Sequence, residues 1–289
     1  MKWYNIEDGE FPELEEPVLL AKEPTKDFIK DCRLGRLVIE DNTNEKGWFV
    51  DNDMAVIQVA SRKYWFRLLE KPIGIPKTEN QELLKNLLAG YLNVLDLYEK
   101  KFQKLSECMM KSGKGTYTLD YYVAGILNRS LSLIYGFDTL IKSANFLSAA
   151  HLVRPHLDNY LRLSAAWLVS DPHKFANDVW QGGVIRKMKD RDGKPMTDAH
   201  LKDKAAEDYP WIANVYEATS GFIHFGEKHI RNATALTDGK DASLTTFIGK
   251  FDNQVSYESK IEATIGMIEI SNCIAKQVYG WIETKRIKG

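Results

Sequence analysis

The chain has 289 residues, 44% of them hydrophobic, and a formal net charge of −1. That is ample for a sizeable core, and it excludes a bulk electrostatic attraction to nucleic acid or anionic membrane, so any such binding must come from a local patch. No apolar run approaches the roughly 20 residues of a membrane helix, and the first residues lack the apolar segment of a secretory signal. The expectation is a protein of the cytoplasm that does not engage membrane. Cys32, Cys108 and Cys273 lie far apart and form no C-x-x-C pair, so inert thiols are expected rather than disulfides or a zinc site.

Residues 1–72 read as a small antiparallel β domain. Strands are expected at 18–21, 32–40, 47–50, 54–60 and 64–69, each rich in β-branched or aromatic residues and bounded by turn residues. Residues 73–78 form a linker, broken by Gly74 and Pro76. From 79 to 289 the chain reads as a helical bundle. Apolar residues recur at helical spacing over about 79–111, 118–143, 145–169 and 255–284. Pro155 falls inside the third of these and should kink it. Asp171-Pro172 is an N-cap followed by a first-turn proline. Residues 181–208 are polar and turn-rich. Residues 209–231 read as one helix, and 234–248 as a β-hairpin turning near 238–240. The expected fold class is α+β, a small β domain followed by a mainly helical bundle with an inserted hairpin.

The stretch 211–231 carries the densest chemistry. At helical period, Glu217, Ser220, His224, Lys228 and Arg231 share one side. An imidazole with a hydroxyl one turn before it suits acid–base work on a bound phosphate. The bland alternative is a solvated face with i,i+4 partners. Gly221 and Gly226 tilt the balance, because glycine inside a helix costs about 1 kcal/mol against alanine and suggests a close approach. A second stripe, His151, Arg154, Asp158 and Arg162, falls on one side of the helix over 145–169. Facing the first, Arg154 and Arg162 would hold a phosphate beside His224. His156 points the opposite way and reads as a core histidine with a hydrogen-bond partner. Residues 186–194 mix cations and aspartates and read as a solvated loop. Ser112–Thr116 lacks the phosphate-loop spacing. His224 and His229, five apart, make a poor metal pair, and no metal or cofactor is expected.

Two resemblances add context. Trp3, residues 13–21 (ELEEPVLLA), Gly35-Arg36-Leu37, Gly47-Trp48-Phe49 and Trp65-Phe66-Arg67-Leu68 resemble a small domain of unknown function common in phage and prophage proteins, with Arg67 where that family usually has proline. The resemblance implies a phage or mobile-element setting. Residues 154–160 (RPHLDNY), the Ala-Ala-Trp-Leu segment after them and 216–224 (YEATSGFIH) resemble bacterial helical proteins near the higher-eukaryote and prokaryote nucleotide-binding (HEPN-like) superfamily. That resemblance implies a homodimer acting on RNA in defence or toxin systems. The ribonuclease members carry arginine and histidine on one helix, and no arginine here precedes a histidine at that spacing. Only His224 maps, with Arg154 as a substitute from another helix.

The combined expectation is an RNA- or nucleotide-engaging protein of a bacterial or phage conflict system. In that reading His224, Ser220 and Glu217 are catalytic, and Arg154, Asp158, Arg162, Lys228 and Arg231 bind ligand. If it is an enzyme, it is a metal-independent endoribonuclease. The rival reading is a non-catalytic dimeric binding or scaffold protein.

Overall fold

In the sequence Pro17–Ala21, four consecutive residues are buried, so this strand must be covered on both faces. The computed structural model describes residues 2–14, 16–24, 33–39, 46–50, 55–58, 62–68, 74–223, 226–237, 243–252 and 255–288. Within them the strands are β1 (Tyr4–Asn5), β2 (Pro17–Ala21), β3 (Arg33–Ile39), β4 (Lys46–Val50), β5 (Ala55–Gln58) and β6 (Tyr64–Arg67). They form one antiparallel sheet in the order β1-β6-β2-β3-β4-β5. The fold class is α+β, with the sheet in the N-terminal part and helices after it.

The helices are α1 (Gln81–Asp96), α2 (Tyr98–Lys111), α3 (Thr118–Lys142), α4 (Phe146–Leu168), α5 (Pro172–Trp180), α6 (Asp198–Asp208), α7 (Trp211–Ile223), α8 (Glu227–Asn232) and α9 (Tyr257–Lys288). A hairpin of β7 (Thr234–Thr237) and β8 (Ser243–Thr246) precedes α9. The chain divides into two compact units. One holds residues 1–71, 97–127 and 272–289, the other 72–96 and 128–271.

In the first unit, alternation decides which side chains meet. Val18, Leu20, Leu37, Trp48, Val50 and Trp65 form the core on one sheet face, as a period of two dictates. Tyr4 stacks on Trp65 with ring centroids 4.3 Å apart. The indole N–H groups of Trp48 and Trp65 donate to the carbonyls of Arg62 and Glu10, so neither ring buries an unmet donor. On the other face, Arg36 of β3 pairs with Glu283 and donates to the Tyr279 hydroxyl of α9. Those two acceptors hold the Arg36 guanidinium charged against the pull of burial. Gly113 closes α2 with φ +72°, and a Cβ there would lie 3.1 Å from the Lys285 carbonyl, so both backbone and space require glycine.

In the second unit α4 is the central helix, with Val153, Leu157, Tyr160, Leu161 and Leu163 buried. Gly136 of α3 lets it approach closely, since a Cβ there would sit 3.1 Å from Leu152 Cδ1. Asn145 caps α4 by accepting from the Ser148 N–H at 3.2 Å. Pro155 sits inside the helix and removes the N–H that the His151 carbonyl would otherwise meet four residues on. His156 is fully buried, with Nε2 2.9 Å from Ser271 Oγ. Asp171 and Pro172 start α5 as expected, the carboxylate accepting from the N–H groups of His173 and Lys174.

Three readings need correction. The helix expected over about 79–111 is two, α1 and α2, with Leu97 between them. The single helix expected over 209–231 is two, α7 and α8, and Gly226 stands at the start of the second. The polar stretch 181–208 contains α6, capped by the Thr197 hydroxyl. Only Leu201 and Ala205 of α6 are buried, too thin an apolar face to announce a helix. The stretch 186–194 is largely exposed, as expected of a solvated loop, and is anchored at Asp190. Asp190 is 7% exposed and accepts from His200 Nε2 at 2.7 Å and from the N–H groups of Asp192 and Lys194. Burial pushes the Asp190 carboxyl up, but those donors outweigh it and hold it below the usual carboxylate range. Arg191 donates to the carbonyls of Trp167 and Leu168 at the end of α4, where a cation suits the helix dipole. Cys108 and Cys273 are buried and form no disulfide; Cys32 and the hairpin turn near 238–240 lie outside the described residues.

Candidate functional site

The polar stripe of α4 meets three neighbours in turn along its length. Near its start, the His151 ring lies 6.0 Å from that of His229 on α8, centroid to centroid. One turn on, the Arg154 guanidinium lies 3.3 Å from the centroid of the Tyr216 ring on α7. It also donates to Ser220 Oγ at 3.1 Å and to the Tyr216 carbonyl at 3.4 Å. Near the far end, Arg162 donates to Asp158 at 3.0 Å and to Asp198 of α6. Asp158 also pairs with Arg129 of α3 at 3.4 Å.

These contacts divide the stripe. Arg162 faces two carboxylates, so its charge is spent on joining α4 to α6. Arg154 differs, because no carboxylate among the described residues pairs with it. It is held by a π-face, a hydroxyl and a carbonyl, all of which orient a guanidinium without neutralising it. The Ser220 hydroxyl donates to the Tyr216 carbonyl at 2.7 Å and accepts from Arg154, so this serine positions the arginine. Lys202 of α6 lies 5.8 Å from the centroid of the same Tyr216 ring and pairs with Asp203 at 2.7 Å. Glu217 is exposed on α7.

The two histidines are oriented by local backbone. His151 Nδ1 lies 2.6 Å from the Leu147 carbonyl, so Nδ1 carries the proton and Nε2 is the basic nitrogen. His229 Nδ1 accepts the Gly226 N–H at 3.2 Å, so in the neutral ring the proton sits on Nε2. This second bond repeats the logic of a capping box. Gly226 precedes the first turn of α8, and the third residue of the helix reaches back to its N–H.

Beside this pair opens a cleft of about 710 Å³, within the range of small-ligand sites. His229 and Lys250 line it, with Phe247, Phe251, Asn145 and Asp252. Asp252 is committed to structure. It accepts from the Phe146 N–H at the start of α4 and from Lys260 Nζ at 3.0 Å.

Of the residues singled out in the sequence, Arg154 and Ser220 come together. Asp158 and Arg162 bond each other two turns away. His224 lies outside the described residues, as do the side chains of Lys228 and Arg231. Sequence reasoning set His229 aside as half of a poor metal pair, and it missed the partnership with His151. The only local signal was a glycine three residues before a histidine, the spacing of a capping interaction. Among the described residues no group of three or more His, Cys, Asp or Glu is arranged to hold a metal, and no helix is long and apolar enough to cross a membrane. No protein-family model matches the chain, and neither a curated protein nor a solved structure matches it significantly.

Proposed function

We propose that the second unit engages RNA through the His151–His229 pair and Arg154, and cleaves it without a metal ion. The observation that carries this reading is the two imidazoles, 6.0 Å apart, one turn from an arginine whose charge no described carboxylate offsets. In the step, the ribose 2′-hydroxyl gives its proton to His151 Nε2, and its oxygen attacks the adjacent phosphorus. The bond from phosphorus to the 5′ oxygen breaks, and that oxygen takes a proton from solvent. The products are a 2′,3′-cyclic phosphate and a 5′-hydroxyl. Arg154 and the His229 Nε2–H donate to the non-bridging oxygens as charge builds there. His224, Glu217, Lys228 and Arg231 belong to the wider proposal on the strength of their place in the sequence. A role in a bacterial or phage conflict system rests on the two sequence resemblances.

The test is a labelled single-stranded oligoribonucleotide incubated in excess chelator. Cyclic-phosphate ends are expected, and one 2′-deoxy substitution at the cleaved position abolishes them. His151→Ala slows the reaction by about 10²–10⁴-fold, the usual worth of a positioned general base. Equal cleavage by that variant, or none by the wild type, sinks the nuclease reading. A second reading, a non-catalytic homodimeric binding protein, draws on the exposed apolar side chains Ile230, Phe247, Ile248 and Phe251. A sizing measurement across protein concentration tests it.

A further inference from the structure

The segment 247–251, Phe-Ile-Gly-Lys-Phe, follows β8 and is exposed throughout. Ile248 is fully exposed, and Phe247 and Phe251 are 42% and 58% exposed. Side chains this apolar are seldom left so open without an occupant. Lys250 Nζ lies 5.0 Å from the centroid of the Phe251 ring, so a cation and an aromatic face are presented together. Both belong to the wall of the cleft that His229 also lines. The other charged member of that wall, Asp252, is neutralised by Lys260, which leaves the lining with a positive excess.

We infer that this segment is the recognition element for a single-stranded RNA, with unpaired bases stacked on Phe247 and Phe251 and a phosphate met by Lys250. This rests on the RNA reading above and names its substrate class. Three observations favour it over an apolar partner. An aromatic ring next to a cation matches a base next to a phosphate, the pairing that single-strand binders use. The cleft volume suits one or two nucleotides, far less than a protein segment of stable affinity needs. Polar groups, His229 and the Asn145 and Asp252 side chains, share the wall, a mixture that suits a nucleotide better than an acyl chain. A duplex is excluded by the same geometry, because its bases are stacked on each other and offer no face to a ring.

The experiment measures binding of a fluorescent 12-nucleotide single-stranded RNA, its duplex, and vesicles of phosphatidylcholine with phosphatidylglycerol. The proteins are wild type, His151→Ala, the double variant Phe247→Ala with Phe251→Ala, and Lys250→Ala. All four substitutions fall on partly or fully exposed side chains, and a thermal melt confirms that each variant folds. The expected result is at least tenfold preference for the single strand. Binding falls about tenfold for each phenylalanine lost and its salt dependence is shallower in Lys250→Ala, while His151→Ala serves as the control for cleavage. Equal affinity for duplex overturns the inference, as does unchanged affinity in the double variant. If cleavage still depends on His151 in either case, the function stands and only this recognition element is wrong. Vesicle binding lost in the double variant, without RNA binding, overturns it in favour of a membrane surface. Concentration-dependent dimerisation lost in the same variant, again without RNA binding, overturns it in favour of self-association.

Discussion

One charged site in each unit shows two opposite ways of handling charge. In the first, Lys285 and Asp120 form an ion pair with both side chains fully buried, 2.8 Å apart. Every neighbour completes it. Lys285 also donates to the Met109 carbonyl, and the Trp281 indole donates to the second oxygen of Asp120. In the second unit Arg154 is half-buried and meets only neutral groups. A closed, balanced cluster has nothing left to offer a ligand, whereas an oriented, uncompensated cation does. What distinguishes the two sites is compensation of charge rather than residue type.

The sharpest way to break that contrast is to open the closed cluster. Lys285→Ala leaves the buried Asp120 carboxylate without its counter-charge and should destabilise the protein by about 3–5 kcal/mol, read from urea unfolding. Replacing both partners with apolar residues of similar volume, Lys285→Met with Asp120→Leu, should restore most of that loss. If the single and double variants unfold alike, the pair is not what those neighbours serve.

A second measurement turns on the buried histidine of α4. His156 is buried and neutral, its pKa pushed down to about 3 from 6.5, chiefly by desolvation. The unfolded chain therefore binds a proton that the folded chain refuses. The His156 contribution to stability is whole above pH 6.5. It falls by about 1.4 kcal/mol per pH unit as the pH drops toward 3. His156→Leu should flatten that part of the stability profile, because Ser271 keeps its bond to the Met267 carbonyl. An unchanged acid slope would show that other groups carry it.

How far these features could be read in advance follows from their range. The strands β2 to β6 and the helices α3, α4 and α9 announce themselves by period, and His156 by the apolar residues around it. Helix α6 does not, because six of its 11 residues are charged and only Leu201 and Ala205 are buried. The break between α7 and α8 was hidden because the pattern of apolar residues runs through it. The sequence suggests that the two stripes face each other, with Arg154 beside His224; it does not suggest the Arg154–Ser220 bond itself. Nor does it suggest the His151–His229 contact, since that depends on where α8 turns, and that is set by tertiary packing. Local spacing can say that a residue has the right chemistry, and only the fold can say what stands opposite.

A milder probe tests the open cation itself. Arg154→Lys keeps the charge but loses the planar stack on Tyr216 and the fork that holds Ser220. Stability should fall by about 1 kcal/mol, while RNA affinity and cleavage fall further. A lysine variant with wild-type activity would mean that charge alone suffices and that Tyr216 and Ser220 do not orient it.

The smallest effect sits at the entrance to α4. Ala144 is the one non-glycine residue with positive φ, +54°, among those described. It lies in the turn between α3 and α4, where its N–H donates to the Ile141 carbonyl and its carbonyl accepts from Asp252. Asp252 in turn meets the first N–H of α4 and walls the cleft. A left-handed alanine costs about 1–2 kcal/mol, and glycine there gives back about 0.4–1 kcal/mol through the freer unfolded chain. Ala144→Gly should therefore stabilise the protein by about 0.5–1 kcal/mol, the difference of those two terms. Because the turn and the Asp252 bonds are kept, ligand affinity should not change. A stabilised variant with altered RNA binding would mean that strain at this turn tunes the cleft, and that the open region draws on the backbone as well as on Arg154.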